Sequence, residues 1–146
     1  MEILERIQTP LAGKRVVILG RSNVVGKPLA FSLLHRDATV TVCHIYTTDL
    51  AHWTRQAEVL VVAAGRAGLI TGAMVRPGAV VVDVGINVQP DGTIVGDVDF
   101  ASVAEVAGAL TPVPGGVGQL TNLMVVQQTL RARDLREQWR EEGATA

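Results

Sequence analysis

The chain has 146 residues, 48% of them apolar and 3% aromatic, and a formal net charge of −1. That length fits one domain with its own core, and the near-neutral charge excludes both a global basic field for nucleic acid and a polybasic membrane patch. No apolar run reaches transmembrane length, MEILERIQTP carries no signal-peptide core, and a single cysteine, Cys43, excludes an internal disulfide and gives no metal-ligand spacing, so a cytoplasmic protein without a bound metal is expected.

In chain order, Val16–Leu19 is the first apolar run. Gly20, Arg21 and Ser22 follow it, and Gly26 then heads an apolar-periodic segment to His35. This pattern predicts a strand, a tight turn and a helix. Such a turn sets backbone N–H groups and a helix N-terminus against an anion, usually the pyrophosphate of a dinucleotide. It departs from G-x-G-x-x-G: Ser22 stands at the second glycine, and the last glycine comes one residue late. The plain alternative is an ordinary strand-to-helix turn that uses glycine for positive φ.

Val40–Cys43, Val59–Ala63 and Ala79–Asp83 read as further strands, with helices expected over Thr47–Gln56 and, shorter, Thr71–Val75. Thr47 or Thr71 is a candidate N-cap. Strands alternating with helices predict an α/β fold: a Rossmann-like open, mostly parallel sheet with helices on both faces. Asn87–Val98, with Pro90-Asp91-Gly92 at its centre, reads as a short hairpin arm on the sheet edge. Ile94, Val95 and Val98 give that arm an apolar character with no lysine to discourage edge pairing, so a homodimer is expected. Leu110–Gly118 is a Pro/Gly-rich loop, and a final helix runs from about Leu120 to Glu141, with a frayed tail after it.

Dinucleotide folds choose between NAD and NADP at the end of the second strand, where an acid bonds the ribose 2′-hydroxyl and repels a 2′-phosphate. Here that strand ends Cys43-His44-Ile45-Tyr46, with no carboxylate, while Arg21 sits in the first turn. This favours NADP; the competing role for Arg21 is a solvated surface residue. His44 either donates to the phosphate or caps the strand end. Asp83, at the C-terminal end of its strand, is read first as an acceptor for nearby N–H groups and only second as a group with chemistry. Gly85 beside it allows close approach of a flat ligand. Cys43 is read as a buried, inert thiol. His35 and His52 are read as solvated.

The strings GRSNVVGKP, ATVTVCH, AAGR, VVDVGIN, VGDVDF and TPVPGGVG, in this order, resemble the C-terminal half of the bifunctional methylenetetrahydrofolate dehydrogenase/cyclohydrolase family. The likeness spans about Thr9 to Leu130, within one dinucleotide-binding domain covering 1–146, with 1–8 and 142–146 as tails. It implies an NADP-dependent oxidation of 5,10-methylenetetrahydrofolate followed by hydrolysis to 10-formyltetrahydrofolate. By the same likeness, Gly20, Arg21, Ser22 and Val24 match phosphate and ribose contacts, and Ala64 and Gly65 match the adenosine-side loop. Gly85 and Ile86 match one wall near the nicotinamide, Gly118 and Thr121 the other. Pro114, Gly115 and Gly116 match the loop bordering the folate cleft. The family also forms dimers largely through this domain.

Three departures qualify the likeness. Ile45 replaces a polar residue that normally helps hold the 2′-phosphate; losing one charge-assisted donor is worth about 1.5–3 kcal/mol of NADP preference and leaves NAD possible. Gln119-Leu120 stands where Pro-Met is usual. The family's N-terminal folate domain, with its catalytic Tyr and Lys four residues apart, has no counterpart: Tyr46, Lys14 and Lys27 form no such pair. The chain alone is therefore expected to lack catalytic residues and activity, and to meet folate only with such a domain. The alternatives are a stand-alone, non-catalytic nucleotide-binding module, or one half of a split enzyme.

Overall fold

β-branched runs too short for helices dominate the middle of the chain, and they form its strands. A computed structural model describes residues 1–143. In chain order the elements are α1 (Glu2–Arg6), β1 (Arg15–Leu19), α2 (Gly26–Leu34), β2 (Thr39–Cys43), α3 (Leu50–Thr54), β3 (Val59–Val62) and β4 (Val80–Asp83). They continue with β5 (Asn87–Val88), β6 (Ile94–Val95), α4 (Phe100–Ala104), β7 (Ala109–Leu110) and α5 (Val117–Gly143). Five strands form one parallel sheet in the order β2-β1-β3-β4-β7.

Alternate residues of each strand feed two separate cores, one on each face. Val17, Leu19, Leu60, Val62 and Val81 pack with Val103 of α4 and Leu50 of α3. Val16, Ile18, Val59, Val61 and Val82 pack with Leu4 of α1, Leu29 and Leu33 of α2 and Val117 of α5. Strands buried on both faces are why the sequence reads as unbroken apolar runs rather than an alternating pattern.

Several expectations need correction. Residues 1–8 are not simply a tail: Glu2–Arg6 is helical and Leu4 is 2% exposed. The expected helix 47–56 shrinks to Leu50–Thr54, because Asp49, not Thr47, caps it by accepting the His52 N–H at 3.2 Å. Thr47 instead accepts the backbone N–H of His44 at 2.9 Å. Near Thr71 there is one 3₁₀ turn, Gly72–Met74, with no side-chain cap. The helix α4 and the two-residue strand β7 were not foreseen. The last helix starts at Val117, within the expected loop, and takes in residues 142 and 143 of the expected tail; 144–146 lie outside the described residues.

The hairpin exists, but not on the sheet edge. β5 and β6 pair antiparallel as their own two-stranded sheet after β4, which has β3 and β7 on either side. Val98 does not belong to the arm either. It is 6% exposed and bridges Ile70 in parallel, because the chain has by then returned to the core.

α5 has 27 residues, about 40 Å of helix, yet only its first turns touch the domain. Leu123, Val125, Val126, Leu130, Leu135 and Trp139 are all exposed.

Leu4 tests whether the short first helix is structural. Leu4→Ala is expected to lower unfolding free energy by about 2–5 kcal/mol, the range for a buried leucine. A urea midpoint unchanged from the parent would mean that α1 contributes nothing to the core.

Candidate dinucleotide site

The connection β1-α2-β2 covers one face of the sheet, and β2-α3-β3 covers the other. Successive connections therefore part between β1 and β3, and a crevice opens at their C-terminal ends. Gly20 ends β1 there with φ +133, and its N–H donates to the Cys43 carbonyl at 2.9 Å. A Cβ on Gly20 would collide with the Ala63 carbonyl, and one on Gly26 with the Gly20 carbonyl. Both glycines are thus required by backbone packing, which accounts for the late second glycine of the fingerprint.

Ser22 closes the turn. Its Oγ accepts the N–H of Val25 at 3.0 Å and of Gly26 at 3.4 Å, and its carbonyl accepts the Lys27 N–H at 3.0 Å. The hydroxyl hydrogen is left for a ligand.

A cavity of about 420 Å³ sits in this crevice, lined by Gly20, Arg21, Ser22, His44, Ile45, Tyr46, Ala63 and Ala64. No carboxylate lines it. Arg21 is exposed at its mouth, and Ile45 and Tyr46 are 65% and 75% exposed, forming an apolar rim. The backbone N–H of Tyr46 donates to His44 Nδ1 at 3.2 Å, so the neutral ring carries its proton on Nε2. His44 thus serves the loop with one nitrogen and keeps a donor on the other.

All the remaining expected site residues but Gly65 fall in two other places. Gly85, Ile86, Pro114, Gly115, Gly116 and Gly118 line a second cavity of about 320 Å³, at the ends of β4 and β7, where the Val113–Pro114 peptide is cis. Val24 and Thr121 line neither cavity; they meet in an apolar groove between α1, α2 and α5. Gly65 lines none of these spaces, because its N–H is turned to a carboxylate behind the loop.

That carboxylate, Asp97, is the residue that sequence reasoning missed. It is fully buried. Its Oδ2 accepts the N–H groups of Ala64 at 2.6 Å and Gly65 at 2.7 Å; its Oδ1 accepts those of Arg66 at 2.9 Å and the Asn87 amide at 2.8 Å. The one cue was an acid in an otherwise apolar V-G-D-V string.

Asp83 takes the acceptor role expected of it. Its Oδ1 accepts the N–H of Gly85 at 2.8 Å and Asp97 at 3.1 Å, and its Oδ2 accepts that of Val98 at 2.9 Å. Burial pushes the Asp83 carboxyl above its ordinary range, opposed by those three N–H groups. Cβ atoms on Gly85 and Gly96 would strike Asp97 and Asp83 respectively, so both glycines make room for the pair. Cys43 is 1% exposed, and burial raises its thiol, which keeps it protonated and unreactive.

An open parallel sheet with a glycine turn at its switch point defines a dinucleotide-binding α/β domain. Residues 1–137 match the family described as tetrahydrofolate dehydrogenase/cyclohydrolase, NAD(P)-binding domain, and the chain belongs to that family. The bifunctional protein FolD of Pelotomaculum thermopropionicum is 59% identical over 132 residues, which are 90% of this chain and 46% of that protein. The crystal structure of the bifunctional enzyme FolD from Campylobacter jejuni superposes with a TM-score of 0.91 at 48% identity, over 93% of this chain and 48% of that one. The Trypanosoma brucei enzyme, solved with NADP and an inhibitor, gives 0.86 at 42% identity, over 93% and 49%. The chain spans about half the length of the relatives it matches.

Asp97→Asn is expected to cost about 1–3 kcal/mol, since an amide NH₂ would face N–H donors in a buried site. Amide exchange at Ala64–Arg66 should accelerate more than at Gly20–Ser22. Uniform exchange in the variant would show that Asp97 does not organise that loop.

Proposed function

We propose that this chain is the NADP-binding half of a 5,10-methylenetetrahydrofolate dehydrogenase/methenyltetrahydrofolate cyclohydrolase, acting in cytoplasmic one-carbon metabolism. The observation that carries the choice of cofactor is the crevice between β1 and β3. It is lined by Arg21 and by no carboxylate, so a 2′-phosphate meets a cation and no repulsion. The backbone fits the group: Gly20 and Gly26 bring the main chain close, and the N-terminus of α2 favours a pyrophosphate. NADP held by these residues would supply the hydride acceptor.

Each residue then has a stated task. Arg21 pairs with the 2′-phosphate. Gly20 and Ser22 hold the pyrophosphate, with Val24 at the foot of the turn. His44 offers Nε2–H, while Ile45 and Ala64 border the adenosine, with Gly65 held behind them on Asp97. Gly85, Ile86 and Gly118 flank the nicotinamide, and Pro114, Gly115 and Gly116 border the folate; Thr121, in the groove between α1, α2 and α5, has no place in that contact. Ile45 brings no polar group to the phosphate, so discrimination against NAD rests on Arg21.

The general acid and base come from a folate-binding half, since no Tyr/Lys pair spaced by four is present in this sequence. Docking of that half by α5 is favoured over a self-sufficient module by one observation. Residues 117–137 lie within the family match, yet Leu123, Val126 and Leu130 are 67%, 59% and 50% exposed. A domain that worked alone would gain nothing from so large an apolar surface in water.

Three measurements test this proposal. The chain alone should form no NADPH from methylenetetrahydrofolate, and adding the N-terminal half of a FolD relative should restore turnover; activity without it would overturn the division of labour. Arg21→Ala should weaken NADP binding by about 1.5–3 kcal/mol and NAD binding much less; equal losses in calorimetry would remove Arg21 from the 2′-phosphate. The hairpin exposes Val88 (71%) and Ile94 (42%) beside open strand edges, which supports a two-fold dimer through it. Light scattering should give a dimer mass that falls to the monomer with Ile94→Lys; a monomer at all micromolar concentrations would refute the dimer.

A further inference from the structure

The turn after β2 carries side chains that turn chemistry does not ask for. The Thr47 N–H donates to the His44 carbonyl at 2.8 Å, so residues 44–47 form a β-turn with Ile45 and Tyr46 at its two corners. Gly, Pro, Asn, Asp and Ser are the residues that favour such corners. Ile45 and Tyr46 gain nothing there from burial, at 65% and 75% exposed.

The turn is nevertheless fixed. The His44 N–H donates to Thr47 Oγ1 at 2.9 Å, and the Tyr46 N–H donates to His44 Nδ1 at 3.2 Å. The Tyr46 ring also meets the His44 ring edge-on, with centroids 6.1 Å apart and planes at 65°. Tyr46 is thus held through its backbone and by a neighbouring ring, while most of its own surface stays open. An aromatic side chain presented in this way loses little entropy when a ligand covers it.

The ring opens on the crevice of about 420 Å³ that also holds Arg21. In NADP the adenine and the 2′-phosphate are borne on adjacent carbons of one ribose. A phosphate paired with Arg21 therefore leaves the base beside it in the same crevice, where it needs a flat, apolar partner. Of the side chains lining that crevice only His44 and Tyr46 carry rings, and His44 is half-buried with one nitrogen engaged by the turn.

We infer that Tyr46 is the stacking platform for the adenine base, with its ring face and not its hydroxyl as the recognising group, an assignment that rests on the dinucleotide reading above. Both cofactors carry the same base, so Tyr46 supplies affinity for the adenosine half and no preference between NAD and NADP. In this it differs from Arg21, which meets only the 2′-phosphate.

The chain has one tyrosine, so isotope-labelled tyrosine isolates the Tyr46 ring protons by NMR in the full chain. NADP, NAD and adenosine 2′,5′-bisphosphate should each move those protons upfield and give an NOE to adenine H2 or H8; nicotinamide mononucleotide should do neither. In calorimetry Tyr46→Ala should weaken NADP and NAD alike by about tenfold, as for one base stacked on an aromatic ring, and Tyr46→Phe should stay within about twofold of the parent. Tyr46 lies outside both cores, so neither variant threatens folding. An equal loss in Tyr46→Phe would move the contact to the hydroxyl. Unchanged affinity in Tyr46→Ala, or ring protons that stay put at saturating NADP, would remove Tyr46 from the base. Each of these results overturns the inference and leaves the dinucleotide site in place, whereas failure of the parent chain to bind NADP at all would overturn both.

Discussion

Two buried aspartates hold the ligand edge of this domain together. Parallel strands end with N–H groups that lack partners, and each must be paired or solvated. Asp97 gathers the N–H groups of Ala64, Gly65 and Arg66 after β3; Asp83, at the end of β4, gathers those of Gly85, Asp97 and Val98. Because Asp83 binds the backbone of Asp97, the two loops are tied in series. The hairpin is tied too, through the Asn87 amide on Asp97. Glycines at 85 and 96 are the steric condition for this arrangement, since a Cβ at either would displace one of the carboxylates.

This arrangement keeps negative charge away from the cofactor crevice. Neither carboxylate lines this crevice, since both are engaged by loop N–H donors and Asp83 borders only the second cavity, while Arg21 and His44 do line it. The crevice is therefore lined by neutral backbone, one cation and an apolar rim. A 2′-phosphate gains from that field, whereas a free ribose hydroxyl finds no acid to bond. The same loops bring Gly85 and Ile86 opposite Gly116 and Gly118 across the second cavity, so the buried pair positions one of its two walls.

What was legible in the sequence was whatever depends on local chemistry. The β1-turn-α2 unit declared itself through Gly20, Ser22 and Gly26, and four strands through runs such as VVILG and AVVVD. The cofactor edge followed from strand ends alone. What stayed hidden depends on partners far along the chain. Leu4 turns MEILER into structure only because α2 and β1 offer it a core. The two residues of β7 are a strand only because β4 pairs with them. Asp97 fell within the segment read as a hairpin arm, and the backbone N–H groups it gathers lie 31 to 33 positions away. Val98 looked like part of the arm because its pairing with Ile70 cannot be read from alternation within the arm.

The two ends of α5 carry opposite lessons about independence. Val117 is packed into the core and Gly116 fits closely against Pro112, so the start of the helix belongs to the domain. From Leu123 onward the helix continues for some five turns with Leu123, Val125, Val126, Leu130, Leu135 and Trp139 exposed. An isolated helix of that length gains little from propensity alone; most helical stability comes from packing an apolar face. The exposed positions at 123, 126 and 130 follow the i, i+3, i+7 spacing of a helix face that packs against a partner. The domain thus has a cofactor crevice on one side and an exposed apolar face on the element that leaves the loop of Pro114, Gly115 and Gly116. A partner seated on α5 would be held next to that loop, at the border of the second cavity.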